Sequence, residues 1–297
     1  MRHALRLSVT AAALAALAGC GKRAPTRPQI GVALAAPDSF DSDLERGMRR
    51  VADSLGFDLH VVTADGDTAR QASLVDGFVA RRMDAIVIAP VGDAGAGTAV
   101  DKGNAARIPV FTVARPADGG DVVSEVESDD RQGGKLLGDW VVARLEGGGN
   151  VAILDQPAPD VRARVAGFKG ALSGYPNLRI LADPTVDPPT RAAARHKMDA
   201  LLATDQHIDA VFGTDDEMAL GAVAAIQAAG RKDVLVVAYD AVPEARAALL
   251  QGTPLVALAA QDPVALGARA IAGVAVKLKG GTVPATVTVP VRLVQKP

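Results

Sequence analysis

The sequence predicts an α/β protein made of two doubly wound parallel-sheet domains, and three observations carry that prediction. From Gln29 onward, short apolar runs rich in strand formers alternate with amphipathic stretches at helical spacing, the pattern of βαβ units. The chain has 297 residues, 49% hydrophobic and 22% charged, enough to bury more than one core. The tetrapeptide Asp84-Ala85-Ile86-Val87 is echoed by Asp209-Ala210-Val211-Phe212, each followed by a polar or glycine-rich turn, which points to two similar halves. Open sheets of this kind collect ligands at the carboxyl ends of their strands, so the expected site is a cleft between two such ends.

Residues 1–19 stand outside that fold. Arg2, His3 and Arg6 make a cationic start, residues 7–17 form an apolar segment too short to span a bilayer, and small residues follow, as in a secretory signal. Leu17-Ala18-Gly19-Cys20 resembles the lipobox of bacterial lipoproteins, in which the cysteine becomes the lipidated first residue of the mature chain. Cys20 is the sole cysteine, so no disulfide forms within one chain, and acylation there would anchor the protein at a membrane without a transmembrane helix. Residues 20–28, rich in Lys, Arg and Pro, read as a solvated tether.

The elements then follow in order. Residues 29–35 form the first strand, and the next helix carries Leu44, Met48, Val51 and Leu55 on one face before Gly56 ends it. Strand 57–63 precedes a helix with Leu74 and Phe78 four apart. Strand 84–89, helix 96–106, strand 108–113 and the extended run 122–128 complete the first half. The second half opens with helix 131–145 and the turn Gly147-Gly148-Gly149-Asn150, then strand 151–154, helix 161–172, strand 178–182 and helix 190–202. Residues 209–230 read as strand, acidic turn and helix. Thr214-Asp215-Asp216-Glu217 has the spacing of a capping box, which makes Thr214 the N-cap and Asp216 a solvated residue, and Gly230 suits a left-handed exit. Strand 234–238, helix 243–251, strand 255–260, helix 263–278 and one extended run to Val294 finish the chain.

Composition and motifs exclude several functions. A net charge of -2 lacks the basic footprint of nucleic-acid binding, so no nucleic-acid partner is expected. Gly92 and Gly97 have P-loop separation, but Thr98 stands where the lysine belongs. No dinucleotide fingerprint opens a helix, and His3, His60, His196 and His207 are isolated, so neither a cofactor, a metal nor Ser-His catalysis is expected. What remains is a set of polar residues just after predicted strands, Arg115, Asp215, Asp240 and Gln261, with Arg162 at a helix start. The loop holding Ser39, Phe40 and Asp41 joins them. Carboxylates accept from hydroxyls, arginine donates a planar fork, glutamine does both, and Phe40 offers a face to a sugar ring, so the set suits a polyhydroxylated ligand.

At these residues the chain resembles the ribose-binding proteins of the pentose and hexose family of type I periplasmic binding proteins. The resemblance covers nearly all of the chain after Gln29, most specifically residues 104–115 (NAARIPVFTVAR), 122–134, 212–230 and 236–240. It implies two α/β lobes joined by three hinge strands, residues 29–128 with 262–287 and residues 129–261 with 288–297. It also implies that Arg115, Arg162, Asp240 and Gln261 bond sugar hydroxyls. Four departures leave the particular sugar open. Asp215 stands where ribose binders carry asparagine, Ala114 where they carry aspartate, and Phe40-Asp41 where they carry two phenylalanines; their cross-cleft aromatic aligns near Pro188 and Pro189. The function implied is a monomeric, non-enzymatic, extracytoplasmic carrier that delivers a sugar or polyol to an ABC permease. The alternative is a sensor that presents a sugar or furanosyl signal to a membrane receptor. A regulator of this fold would need a helix-turn-helix where the signal peptide lies. A glycosidase would use Asp215 and Asp240.

Overall fold

The computed structural model describes residues 27–92, 94–204 and 206–296, so the signal segment and Cys20 lie outside the described residues. The first sheet is built from β1 (Gln29–Leu34), β2 (Asp58–Thr63), β3 (Ala85–Ile88), β4 (Val110–Val113), β5 (Ser124–Ser128) and the distant β11 (Thr286–Val289). Its order is β11-β5-β4-β3-β1-β2, every pairing parallel. The second sheet is built from β6 (Gly148–Leu154), β7 (Asn177–Ala182), β8 (Ala210–Gly213), β9 (Leu235–Asp240), β10 (Leu255–Ala260) and β12 (Arg292–Gln295). Its order is β12-β10-β9-β8-β6-β7, with only β12 antiparallel. The chain therefore passes between the sheets at three places: after β5, after β10, and between β11 and β12.

Helices α1 (Ser39–Leu55), α2 (Thr68–Ala80), α3 (Ala96–Ala105) and α9 (Pro263–Leu278) flank the first sheet. Helices α4 (Asp130–Arg144), α5 (Pro159–Leu172), α6 (Arg191–Leu202), α7 (Asp216–Ala228) and α8 (Pro243–Leu250) flank the second. With helices on both faces, the inner strands β3, β4 and β8 are buried at every residue, which is why β3 and β8 read as unbroken apolar runs and Thr112 is the one polar residue in β4. Each lobe has a helix pair packed through glycines from both helices. A Cβ on Gly47 or Gly267 would lie 2.0 or 2.1 Å from a carbonyl oxygen across the α1–α9 crossing, and one on Gly134 or Gly167 would lie 1.9 or 2.0 Å away across the α4–α5 crossing.

The echo of Asp84 and Asp209 has a shared structural basis. β3 and β8 hold the same place in their sheets, and the aspartate before each accepts a hydrogen bond from the backbone of the neighbouring strand, Gln29 N or Asn150 N, at 2.7 Å.

Three local expectations are corrected. The single extended run to Val294 is two strands, one per sheet, separated around Pro290, which has no N–H to donate to a ladder. Thr214 is not a cap: its hydroxyl donates to Leu154 O at 2.9 Å, and Asp215 caps α7 by accepting from Met218 N at 2.7 Å. Glu217 pairs with Arg191 at 2.7 Å, and Asp216, expected in solvent, is 3% exposed. At the end of the tether, Arg27 donates to Gly56 O at 3.1 Å and pairs with Asp58 at 2.9 Å.

Candidate functional site

The carboxyl ends of both sheets face one cavity of about 310 Å³. Phe40, Asp41 and Arg115 line it from the first lobe, Gln156, Asp215 and Asp240 from the second. Backbone geometry marks the same place. Ala114, which follows β4, has φ 70, while Asp240 and Ala241, at the end of β9, have φ 94 and 64. β4 and β9 occupy equivalent positions in the two sheets, so each lobe holds non-glycine residues in left-handed conformations at the cleft. Such conformations persist where surrounding structure enforces them, and they cluster at functional sites.

The second lobe's wall is organised around Arg164, which also lines the cavity. Its side chain is 6% exposed and meets Asp130 at 3.0 Å, Asp160 at 3.3 Å and Asp240 at 3.3 Å. It also donates to Thr214 O at 3.1 Å and lies 4.0 Å from the centre of the Tyr239 ring. Burial opposes the guanidinium charge, but Asp240, Asp130 and Asp160 outweigh it and hold the group's pKa above its ordinary value.

Several carboxyls here are pushed toward their neutral form. Asp215 accepts from Gln156 Nε2 at 2.6 Å, yet burial first and Asp240 second raise its pKa. Behind it, Asp216 accepts from Val242 N at 2.6 Å while its Oδ1 has no partner; burial and then Asp240 push it up to about 9. On the opposite wall, Asp41 accepts from Ala36 N at 2.7 Å and is raised to about 6, mainly by burial. Gln261 joins cleft to hinge. It donates to Asp240 Oδ1 at 2.6 Å and accepts from the Ser128 hydroxyl at 2.6 Å, and both Ser128 and Gln261 stand where the chain passes between the sheets.

Of the residues singled out from sequence, Phe40, Arg115, Asp215, Asp240 and Gln261 come together in the lining. Ser39 does not: it is exposed on the first turn of α1. Arg162 is also exposed, and Arg164 takes the place expected of it. Two residues along a helix turn a side chain through roughly 200°, so the neighbour in an Arg-x-Arg pair faces the other way. The i,i+4 spacing of Asp160 and Arg164 was the available signal, since such a pair shares one helix face. Pro188 and Pro189 are exposed and absent from the lining. Among the described residues no cluster of His, Cys, Asp and Glu could hold a metal ion, and no helix is long and apolar enough to cross a membrane.

Two doubly wound lobes, three chain passages between them and polar side chains from both around one cavity define a two-lobed small-molecule binding protein. The chain belongs to the periplasmic binding protein family, whose domain pattern matches residues 30–282. It is 33% identical over 294 residues to the ribose import binding protein of Salmonella typhimurium, covering 98% of each chain. Among solved structures it is similar to an ABC transporter solute-binding protein of Bacillus halodurans with bound myo-inositol, at a TM-score of 0.79 and 30% identity, covering 91% of this chain and 94% of that one. A periplasmic solute-binding protein of Actinobacillus succinogenes with bound D-allose gives a TM-score of 0.81 at 25% identity, covering 91% of this chain and 98% of that one. Members of this family are non-enzymatic transport components, which removes the glycosidase reading and implies a periplasmic location.

Proposed function

We propose that this chain is the extracytoplasmic binding protein of an ABC importer, which captures a sugar or sugar-like polyol in the interdomain cleft and delivers it to a permease. The observation that carries this reading is the distribution of hydrogen-bonding side chains over both walls of one cavity, with Gln261 tied to the hinge. A ligand touching both walls stabilises the closed form through contacts the open form lacks, and the permease would read that closure. Similarity to carriers described with ribose, D-allose and myo-inositol supports a polyhydroxylated ligand. The site residues proposed are Phe40, Arg115, Arg164, Asp215, Asp240 and Gln261.

The same proposal divides the chain into a signal peptide at 1–19, a tether at 20–28, one lobe from 29–128 with 262–287 and another from 129–261 with 288–297. It makes the protein a monomer anchored through lipidated Cys20. Cys20→Ser should move it from the membrane fraction to the soluble fraction; a variant that stays membrane-bound would refute the anchor.

A thermal-shift screen over pentoses, hexoses, polyols and their amino derivatives tests the capture reading. A ligand at about 100 times its dissociation constant adds about 2.7 kcal/mol, a clear rise in melting temperature. Silence across every class would overturn the proposal.

A further inference from the structure

We infer that the cleft selects a cationic polyhydroxylated ligand, one carrying a protonated amine beside its hydroxyls. This rests on the sugar-capture reading and narrows it. Five carboxylates line the cleft, from Asp38, Asp41, Asp160, Asp215 and Asp240, against the two guanidiniums of Arg115 and Arg164. Arg164 cannot balance the surplus, because Asp130, Asp160 and Asp240 already share it. Arg115 is 44% exposed on its side chain, and the carboxylate it pairs with is again Asp160, at 3.9 Å.

Asp41 and Asp215, one on each wall, accept hydrogen bonds only from uncharged groups, the Ala36 amide for Asp41 and the Met218 amide and Gln156 side chain for Asp215, and the nearby charges of Arg115 and Arg164 do not offset their burial. A separate observation concerns hydrogen bonding rather than charge. Asp160 Oδ1, on a side chain 7% exposed in the cleft wall, has no partner among the described residues. Acceptor capacity therefore remains after the protein's own donors are used.

Burial already opposes ionisation of Asp41 and Asp215, and closing the lobes withdraws more water from both. A buried carboxylate without a counter-charge is costly, and a neutral sugar supplies hydroxyl donors but no charge. An ammonium supplies three donors together with the missing positive charge, and the half-buried ring of Phe40 gives it an aromatic face to approach. Arg115 and Gln261 remain to bond the neutral hydroxyls.

Matched probes separate this inference from the reading beneath it. Isothermal titration calorimetry of the full chain at pH 6.5 would compare D-glucosamine with D-glucose and N-acetyl-D-glucosamine, D-galactosamine with D-galactose, and 1-amino-1-deoxy-D-sorbitol with D-sorbitol. The amine of at least one set should bind about tenfold or more tighter than its uncharged partners, with the advantage shrinking as salt is added. Asp41→Asn and Asp215→Asn should each reduce that advantage, and asparagine keeps the helix cap at position 215 intact. If uncharged partners bind as tightly as the amines, or if both variants keep the full preference, the cationic ligand is ruled out while sugar capture stands. If no probe of any set binds, the cationic ligand is ruled out, and sugar capture falls only if the thermal-shift screen is silent as well.

Discussion

Arg164 is the residue on which the second lobe's wall depends. Its removal strands three carboxylates, Asp130, Asp160 and Asp240, in or beside a buried wall. Breaking one partner out of a buried ionic cluster costs about 3–5 kcal/mol, so Arg164→Met should lower unfolding stability by an amount of that order in urea denaturation. Arg162→Ala, on the exposed face of the same helix, should stay within about 0.5 kcal/mol. Equal effects would contradict the assignment of roles within this pair. Asp216 makes a pH prediction. Its native pKa is raised from 3.8 to about 9 by burial and Asp240, so between those values the native state holds a proton that the unfolded state has released. Stability must then fall as pH rises through that window, and Asp216→Asn should flatten the decline in melting temperature from about pH 5 to pH 8.5. Parallel profiles for the two proteins would refute it. The cleft residues at strand ends were legible in the sequence because a polar residue just beyond an apolar run is placed by the strand itself. Arg164 was not, because its helical phase is settled by what α5 packs against.

At the scale of elements, the helix crossings are the least forgiving contacts. Gly47 meets the backbone of α9 so closely that an added Cβ would stand 2.0 Å from Val264 O. Gly47→Ala should therefore destabilise by about 1–3 kcal/mol, through overpacking that only separation of the helices relieves. Gly77 and Gly170 lie in α2 and α5 with nothing near an added Cβ, and alanine at either should stabilise by about 0.5–1 kcal/mol through helix propensity alone. Thermal unfolding of the three variants checks the contrast, and a stabilised Gly47→Ala would sink it. Most elements were legible to within a few residues, since amphipathic periodicity and C-terminal glycines such as Gly56 act locally. The cap of α7 was misplaced by one residue. Two adjacent side chains, Thr214 and Asp215, could each cap, and the pairing of Thr214 with Leu154, 60 positions away, decides between them.

For the whole molecule, the consequential bond is the one Gln261 makes in two directions, to Asp240 in the cleft and to Ser128 in the hinge. Loss of that side chain leaves both partners without their glutamine bond. Gln261→Ala should weaken binding of whichever ligand the screen identifies by about tenfold. It should also reduce the ligand-induced contraction measured by small-angle X-ray scattering. Unaltered affinity and contraction would remove Gln261 from the closure pathway.

The α/β alternation, the strand ends that carry Arg115, Asp215, Asp240 and Gln261, and the kinship of the two halves were determined by the sequence itself, because each is written in stretches of a few residues. Tertiary structure alone decided that Arg164 and not Arg162 faces the cleft, that the last extended run divides between two sheets, and that Asp216 is buried. The physical reason is range. Periodicity and capping act within one or two turns of chain, whereas burial and ion pairing depend on partners that only the fold brings together, as it brings Arg164 to Thr214 and Asp240.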